Sequence, residues 1–186
     1  MKLAPRARLV LLAALFLAPI VASIAAYTFL RPEPSANYGE LLLPPSAVTS
    51  HAFGRSEGAA FGFSQLRGRW VLVASDSGAC PLACIEKLAA MRQVRLALGR
   101  NAARVERVLV VDDLRSPEPG ALARFDGMVV ALTPPGMALP PGAANDRAHI
   151  YLVDPLGNVM LRWPARPDYR GMLKDLERLL KASQIG

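Results

Sequence analysis

The chain has 186 residues, a net charge of +7 and only two cysteines. This length suits one domain of ordinary size with additional segments. The basic residues are scattered and form no stripe with aromatic residues, which argues against nucleic-acid binding. Two cysteines and two distant histidines do not make the four-ligand pattern of a structural zinc site.

The N-terminal region predicts a membrane anchor. Residues 1–8 carry three basic side chains, and residues 9–30 carry no charge over a length that can cross the hydrocarbon core as a helix. Because the basic flank precedes the apolar run, the positive-inside rule places the N-terminus in the cytoplasm. A cleaved signal peptide is the alternative, with Ser23-Ile24-Ala25 as the cleavage site. The apolar region of a signal peptide is usually shorter than residues 9–30, so we favour an uncleaved anchor. No long Arg/Ser-rich transit segment precedes the span, so we expect a single-pass protein of a bacterial inner membrane with its domain in the periplasm.

Residues 31–60 are predicted to form a tether between the anchor and the domain. Four prolines fall in the first part of this stretch, and hydrophobic periodicity is weak. The domain proper is assigned to residues 61–186.

The domain begins with a strand followed by a helix. Residues 70–74 form a continuous apolar run, which is typical of a strand covered on both faces. Pro81 suits the first turn of the next helix, where its missing N–H costs nothing. The apolar side of that helix is assigned to Cys84, Leu88, Met91 and Leu98. The polar side is assigned to Glu86, Lys87 and Arg92.

Later segments continue the alternation of strands and helices. Strands are predicted over 105–111 and 128–132 with a short helix near 120–125, then a hairpin of 149–153 and 159–163, and a last helix capped by Asp168. Asp112 and Asp113 follow the second strand, where we assign them to a turn or helix cap. This alternation of strands and helices predicts an α/β domain with a thioredoxin-like fold, attached to a single N-terminal transmembrane helix.

Cys80 and Cys84 are the candidate catalytic residues. They lie one helical turn apart where the first strand meets the first helix, and a bridge between them closes too short a loop to act as a strong clamp. A helix N-terminus favours the thiolate, which is the nucleophile and the metal ligand. We expect the pair to be presented to solvent. If it acts by thiol–disulfide exchange, Cys80 would attack and Cys84 would resolve the mixed disulfide.

The cysteine motif Cys80-Pro-Leu-Ala-Cys84 resembles that of the Sco/SenC family. Leu66–Val73 is similar to the strand that leads into the Sco site, and Tyr151–Gly157 is similar to the late Sco strand and turn. The resemblance implies a thioredoxin-like, membrane-anchored assembly factor for a copper-containing respiratory oxidase. Its partners would be the copper-binding oxidase subunit and a thiol reductant or copper donor protein. It would deliver Cu(I) or reduce the cysteines of its target.

The copper ligands implied by this resemblance are Cys80, Cys84 and a histidine. Sco proteins have that histidine five positions before the Tyr-Leu-Val-Asp-Pro run, where this chain has Asp146. His149, two positions before Tyr151, is the candidate replacement, and two thiolates with an imidazole suit Cu(I). Met137 is a further candidate ligand, whereas His51 is assigned to the tether.

Two alternative functions remain open from the sequence. One is a dedicated thiol–disulfide oxidoreductase outside the cytoplasm without stable copper binding. The other is a non-catalytic scaffold for oxidase assembly, in which the thiols have no role.

Overall fold

The computed structural model describes residues 4–29, 37–48, 52–55, 60–113, 115–117, 119–134 and 146–183. The chain divides into two compact units, residues 1–36 and residues 37–186. In the first unit, helix α1 spans Pro5–Phe29. The segment from Pro5 to Thr28 is long and apolar enough to cross a membrane.

The second unit combines one mixed sheet with helices. Its strands are β1 Glu40–Ala47, β2 Gly54–Arg55, β3 Trp70–Asp76, β4 Val105–Val111, β5 Val129–Leu132, β6 His149–Val153 and β7 Asn158–Pro164. Its α-helices are α2 Leu82–Ala97, α3 Pro119–Leu122 and α4 Tyr169–Ala182. Short 3-10 turns cover Phe63–Leu66, Gly99–Arg104 and Ala123–Phe125. From β3 onward, the elements follow the order β-α-β-α-β-β-β-α, and each strand and helix predicted after residue 70 is present.

The strand order in the described part of the sheet is β1-β7-β6-β3-β4-β5-β2. Strand β3 pairs in parallel with β4, and β4 pairs in parallel with β5. On its other side β3 pairs antiparallel with β6, which forms the predicted hairpin with β7. The fold class is therefore the expected thioredoxin-like α/β arrangement, and the carboxyl end of β3 leads directly into the cysteine motif.

Strand β3 is buried along its whole length because both of its faces are covered. Leu72 and Ala74 face a core that includes α2 and α4 side chains such as Leu88 and Leu176. The alternate residues face a second core built around three aromatic rings, those of Phe53, Phe61 and Phe63. Side chains of successive strand residues point to opposite faces, so a strand covered on both sides must be apolar throughout.

The segment assigned to the tether contributes two edge strands to the sheet. Strand β1 pairs with β7, with a shift in register between Leu41 and Ser46 that spans Pro44 and Pro45. Proline lacks a donor N–H, so an edge strand with an irregular register is where a sheet tolerates it. Pro44 and Pro45, two of the four prolines that weaken the periodicity, are thus compatible with pairing at an edge.

A buried carboxylate of the last helix binds the two residues that precede β1. Asp175 of α4 accepts hydrogen bonds from the backbone N–H groups of Tyr38 and Gly39, at 3.0 and 2.7 Å, and from the Trp163 indole N–H at 3.0 Å. Asp175 is only 2% exposed, and its two oxygens accept three donors. Tyr38 and Gly39, just before β1, are therefore fastened to the second unit.

Candidate functional site

Cys80 and Cys84 form a disulfide between the end of β3 and the start of α2, with their Cα atoms 5.1 Å apart. Cys84 lies in the first turn of α2, and Cys80 lies two residues before that helix begins. The first turn of α2 contains no acidic residue, so the positive end of the helix dipole near Cys80 is not neutralised from within the helix. This environment favours a thiolate at Cys80 once the bridge is reduced.

The disulfide is less exposed than the sequence indicates. Cys80 keeps 7% of its surface exposed and Cys84 keeps none. The predicted order of exposure is therefore correct, but both residues count as buried. Around them Ala79, Pro81 and Ala83 are exposed, and Leu82 is 71% exposed. A partner sulfur that reaches Cys80 must approach across this uncharged surface.

The turn before the disulfide has a constrained backbone. Cys80 has a φ of +39°, a left-handed conformation that costs a residue with a side chain about 1–3 kcal/mol. Its N–H donates to the Ser77 carbonyl at 2.9 Å, which helps to hold this conformation. Gly78 is required at its position because a Cβ there would lie 1.7 Å from the carbonyl oxygen of Arg115. The loop after β4 therefore packs directly against the turn that carries the first cysteine.

A buried lysine connects the elements that surround the disulfide. Lys87, one turn after Cys84, is completely buried. Its ammonium group lies 2.7 Å from the Asp76 carboxylate and donates to the carbonyls of Ser75 and Arg147, both at 2.8 Å. All three donors of the ammonium thus have acceptors. This result corrects the assignment of Lys87 to the polar side of the helix: the side chain points inward because Asp76 and two carbonyls satisfy it there.

Two aspartates after β4 connect the region around the cysteine turn to Arg147, which precedes β6. Arg147 makes a bidentate contact with Asp112, whose other partner is the Ser75 hydroxyl at 2.8 Å. Burial alone would raise the pKa of Asp112, but the hydrogen bonds from Arg147 and Ser75 outweigh it and lower that pKa. Asp113 accepts a hydrogen bond from the Gly78 N–H at 3.0 Å. The two carboxylates therefore anchor the cysteine turn and the residues before β6.

Asp146 and His149 form a second polar group at the start of β6. The Nδ1 atom of His149 lies 2.5 Å from the Asp146 carboxylate, which also accepts from the Tyr151 hydroxyl at 2.7 Å and the Ala148 N–H at 2.8 Å. Burial first, and then Asp146, raise the pKa of Tyr151 to about 12. Burial opposes the ionisation of Asp146, but the hydrogen bonds from Tyr151, Ala148 and His149 outweigh it and lower its pKa. Asp146 thus orients the His149 ring through Nδ1 and leaves Nε2 for another partner.

The structure brings the two predicted cysteines together and places His149 at the same end of the sheet. Strands β3 and β6 are paired at Ala74 and Ile150, so His149 lies beside the end of β3 that leads to the disulfide. Among the described residues, no group of three His, Cys, Asp or Glu side chains is arranged to hold a metal ion. Met137 and His51 lie outside the described residues.

The fold and the disulfide define a class of protein: a thioredoxin-like domain with a cysteine pair where a central strand meets a helix. Residues 70–183 match the family model described as the transmembrane-like, thioredoxin-like, C-terminal domain. Because this match covers more than half of the chain, the chain belongs to that family. No curated protein matches its sequence.

Solved structures share this fold at low sequence identity. Apo Sco1 from Thermus thermophilus is 20% identical, with a TM-score of 0.62 over 79% of this chain and 99% of that one. Copper-bound yeast Sco1 is 16% identical, with a TM-score of 0.57 over 75% and 91% of the two chains. The thioredoxin domain of a thiol–disulfide oxidoreductase from Bacteroides vulgatus is 16% identical, with a TM-score of 0.55 over 74% and 98%. The fold predicted from the Sco resemblance is confirmed.

Sequence reasoning missed the polar residues that support the disulfide, above all Lys87, Asp76 and Arg147. One signal for Lys87 was present. It lies three residues after Cys84 and four before Met91, and this spacing places all three on one helical face. The positive charge of Lys87 instead favours an assignment to the polar side of the helix. No local pattern pairs Arg147 with Asp112, since the two are 35 residues apart.

We predict that Lys87→Met destabilises the domain by about 3–5 kcal/mol, because it leaves the Asp76 carboxylate buried without its countercharge. In an Asp76→Asn background the same substitution should cost less, since no buried charge is left behind. Denaturant unfolding of residues 37–186 measures both effects. Lys174→Met, at an exposed position of α4, is the matched control and should change stability by about 0.5 kcal/mol or less. Equal unfolding midpoints for Lys87→Met and Lys174→Met would contradict the structural role of Lys87.

Proposed function

We propose that this protein is a membrane-anchored thiol–disulfide exchange protein that acts through Cys80 and Cys84. The observation that carries the proposal is the Cys80–Cys84 disulfide at the strand-to-helix junction, in which Cys80 keeps 7% of its surface exposed and Cys84 keeps none. A bridge across four positions of sequence restricts the unfolded chain too little to serve chiefly as a structural clamp. A redox function gives a physical reason for a bridge in this position.

In the reduced protein the Cys80 thiolate attacks one sulfur of a partner disulfide. A mixed disulfide forms, and the other partner sulfur leaves as a thiolate that takes up a proton. The Cys84 thiolate then attacks the Cys80 sulfur, which forms the Cys80–Cys84 bridge and releases the second partner thiol. Two electrons and two protons pass to the partner, and the structure corresponds to the oxidised product. A thiol reductant outside the cytoplasm must regenerate the dithiol.

The partner that we propose is an exported protein with an oxidised cysteine pair, namely the copper-binding subunit of a respiratory oxidase. The Sco-like motif and fold support this choice. Helix α1 would act as an uncleaved single-pass anchor, with residues 1–8 in the cytoplasm and the domain in the periplasm. The basic flank before the apolar run supports this orientation.

We predict that reduced Cys84→Ser, when it is incubated with oxidised glutathione, accumulates a mixed disulfide at Cys80, because the resolving thiol is absent. Mass spectrometry of the glutathione adduct should show at least tenfold more of it in Cys84→Ser than in the wild type. Cys80→Ser is the matched control, since its remaining thiol is buried and should react slowly. An adduct that forms as readily on Cys80→Ser as on Cys84→Ser would contradict the assigned roles.

Copper transfer is the second candidate function, and the geometry of His149 favours it. With Nδ1 held by Asp146, the free Nε2 can join two thiolates after the disulfide is reduced. In this reading Cu(I) is the cargo, and Cys80, Cys84 and His149 are its ligands. Copper-bound yeast Sco1 has the same fold, which is consistent with this candidate.

If the chain carries copper, the reduced protein should bind one equivalent of Cu(I) in an anaerobic titration against a chromophoric chelator. His149→Ala should weaken that binding by tenfold or more, since it removes one of three ligands. Asp146→Asn should weaken it less, because it loosens the ring without removing it. Binding by the wild type no tighter than by the Cys80→Ser/Cys84→Ser double variant would eliminate copper transfer and leave thiol–disulfide exchange.

A further inference from the structure

A cleft lined with arginines lies between α2 and the 3-10 turn Ala123–Phe125. Its volume is about 280 Å³, enough for several water molecules or one small ligand. One stripe of α2 and two residues of the turn line this arginine cleft: Ile85, Ala89, Arg92, Gln93, Arg124 and Phe125. The lining thus offers two guanidinium groups and an amide above an apolar base.

A buried arginine lies next to the arginine cleft with unused donors. Arg107 of β4 is 3% exposed, and its Nη2 donates to the carbonyl of Asp126, the residue that follows Phe125. Within the described part of the chain, Nε and Nη1 of Arg107 are buried and have no hydrogen-bond partner. Unpaired buried donors are unusual because they lose their hydration without a replacement. Arg107 does not line the cleft itself, but it adds a buried positive charge beside it.

The positive charge in this region is not balanced by neighbouring carboxylates. Burial, followed by the charges of Arg95 and Arg92, lowers the pKa of Arg107, while Glu106 and Asp126 oppose that shift only in part. Four other arginines of the domain have close acidic partners, in the pairs of Arg69 with Glu106, Arg147 with Asp112, Arg162 with Glu40 and Arg166 with Glu86. Arg92 and Arg124 have no such partner among the described residues.

We propose that the arginine cleft binds a phosphate group. Guanidinium groups match phosphate oxygens in geometry, and several of them together suit a group that carries more than one negative charge. The apolar base formed by Ile85, Ala89 and Phe125 suits an organic portion attached to the phosphate. The ligand is therefore a phosphate ester, whose source is either a small soluble molecule or a phospholipid headgroup. The proposal is independent of the chemistry at Cys80 and Cys84.

The test uses the full chain in maltoside micelles, which contain no phosphate, with inorganic phosphate as the probe. Sodium chloride keeps the ionic strength constant, and the NMR signals of the arginine Nε–H groups report binding. The wild type should bind phosphate saturably, and Arg92→Gln/Arg124→Gln should weaken the binding by at least tenfold. Both positions are exposed, so this variant should fold normally. Arg100→Gln, an exposed arginine outside the cleft, is the matched control and should leave the affinity unchanged.

A second arm distinguishes the two sources of phosphate. Micelles that contain phosphatidylglycerol should weaken the apparent affinity for inorganic phosphate at least tenfold if a lipid headgroup occupies the cleft. An unchanged affinity assigns the cleft to a soluble phosphate ester, and either result supports the proposal. The absence of saturable binding to the wild type, or an equal loss in Arg100→Gln, would overturn it.

Discussion

The ammonium group of Lys87 is the interaction on which the geometry of the site depends. It is buried beneath α2 and joins the Asp76 carboxylate, the Ser75 carbonyl and the Arg147 carbonyl. One charge thereby ties together the strand before the disulfide, the helix after it and the residues that lead into β6. A buried charge is tolerable only when it is paired and fully hydrogen-bonded, so these three segments must keep their mutual positions.

The environment of the disulfide depends on these contacts of Lys87. Asp76, the ion-pair partner of Lys87, accepts the Ser77 N–H, and Asp113 accepts the Gly78 N–H. These two hydrogen bonds hold the cysteine turn. Arg147 belongs to both groups, because its carbonyl accepts from Lys87 and its guanidinium contacts Asp112. In this setting Cys80 keeps a small exposed surface and Cys84 keeps none. Such an asymmetry suits sequential attack by two sulfurs better than symmetrical exposure would.

The sequence predicted the elements whose signals are local. The apolar run of β3, the turn at Asp154–Gly157 and the Asp168 cap all appear where expected. It did not predict β1, because prolines on an edge strand mask the strand pattern and pairing with β7 comes from more than 100 residues away. Lys87 was misplaced for a related reason: a lysine on an apolar face is stable only with partners from other elements. The cysteine pair could be recognised as a candidate site from its spacing in the sequence. The polar groups around it could not, because their positions depend on tertiary contacts.

The reduction potential of the Cys80–Cys84 pair is the most direct test of the central claim, that this bridge is formed and broken in function. The full chain in micelles can be equilibrated with defined mixtures of reduced and oxidised dithiothreitol, and the remaining thiols counted by mass after alkylation. A catalytic pair should have a potential above about −300 mV, within reach of cellular thiol reductants. A potential well below about −300 mV would identify a bridge that stays oxidised, and would contradict the account.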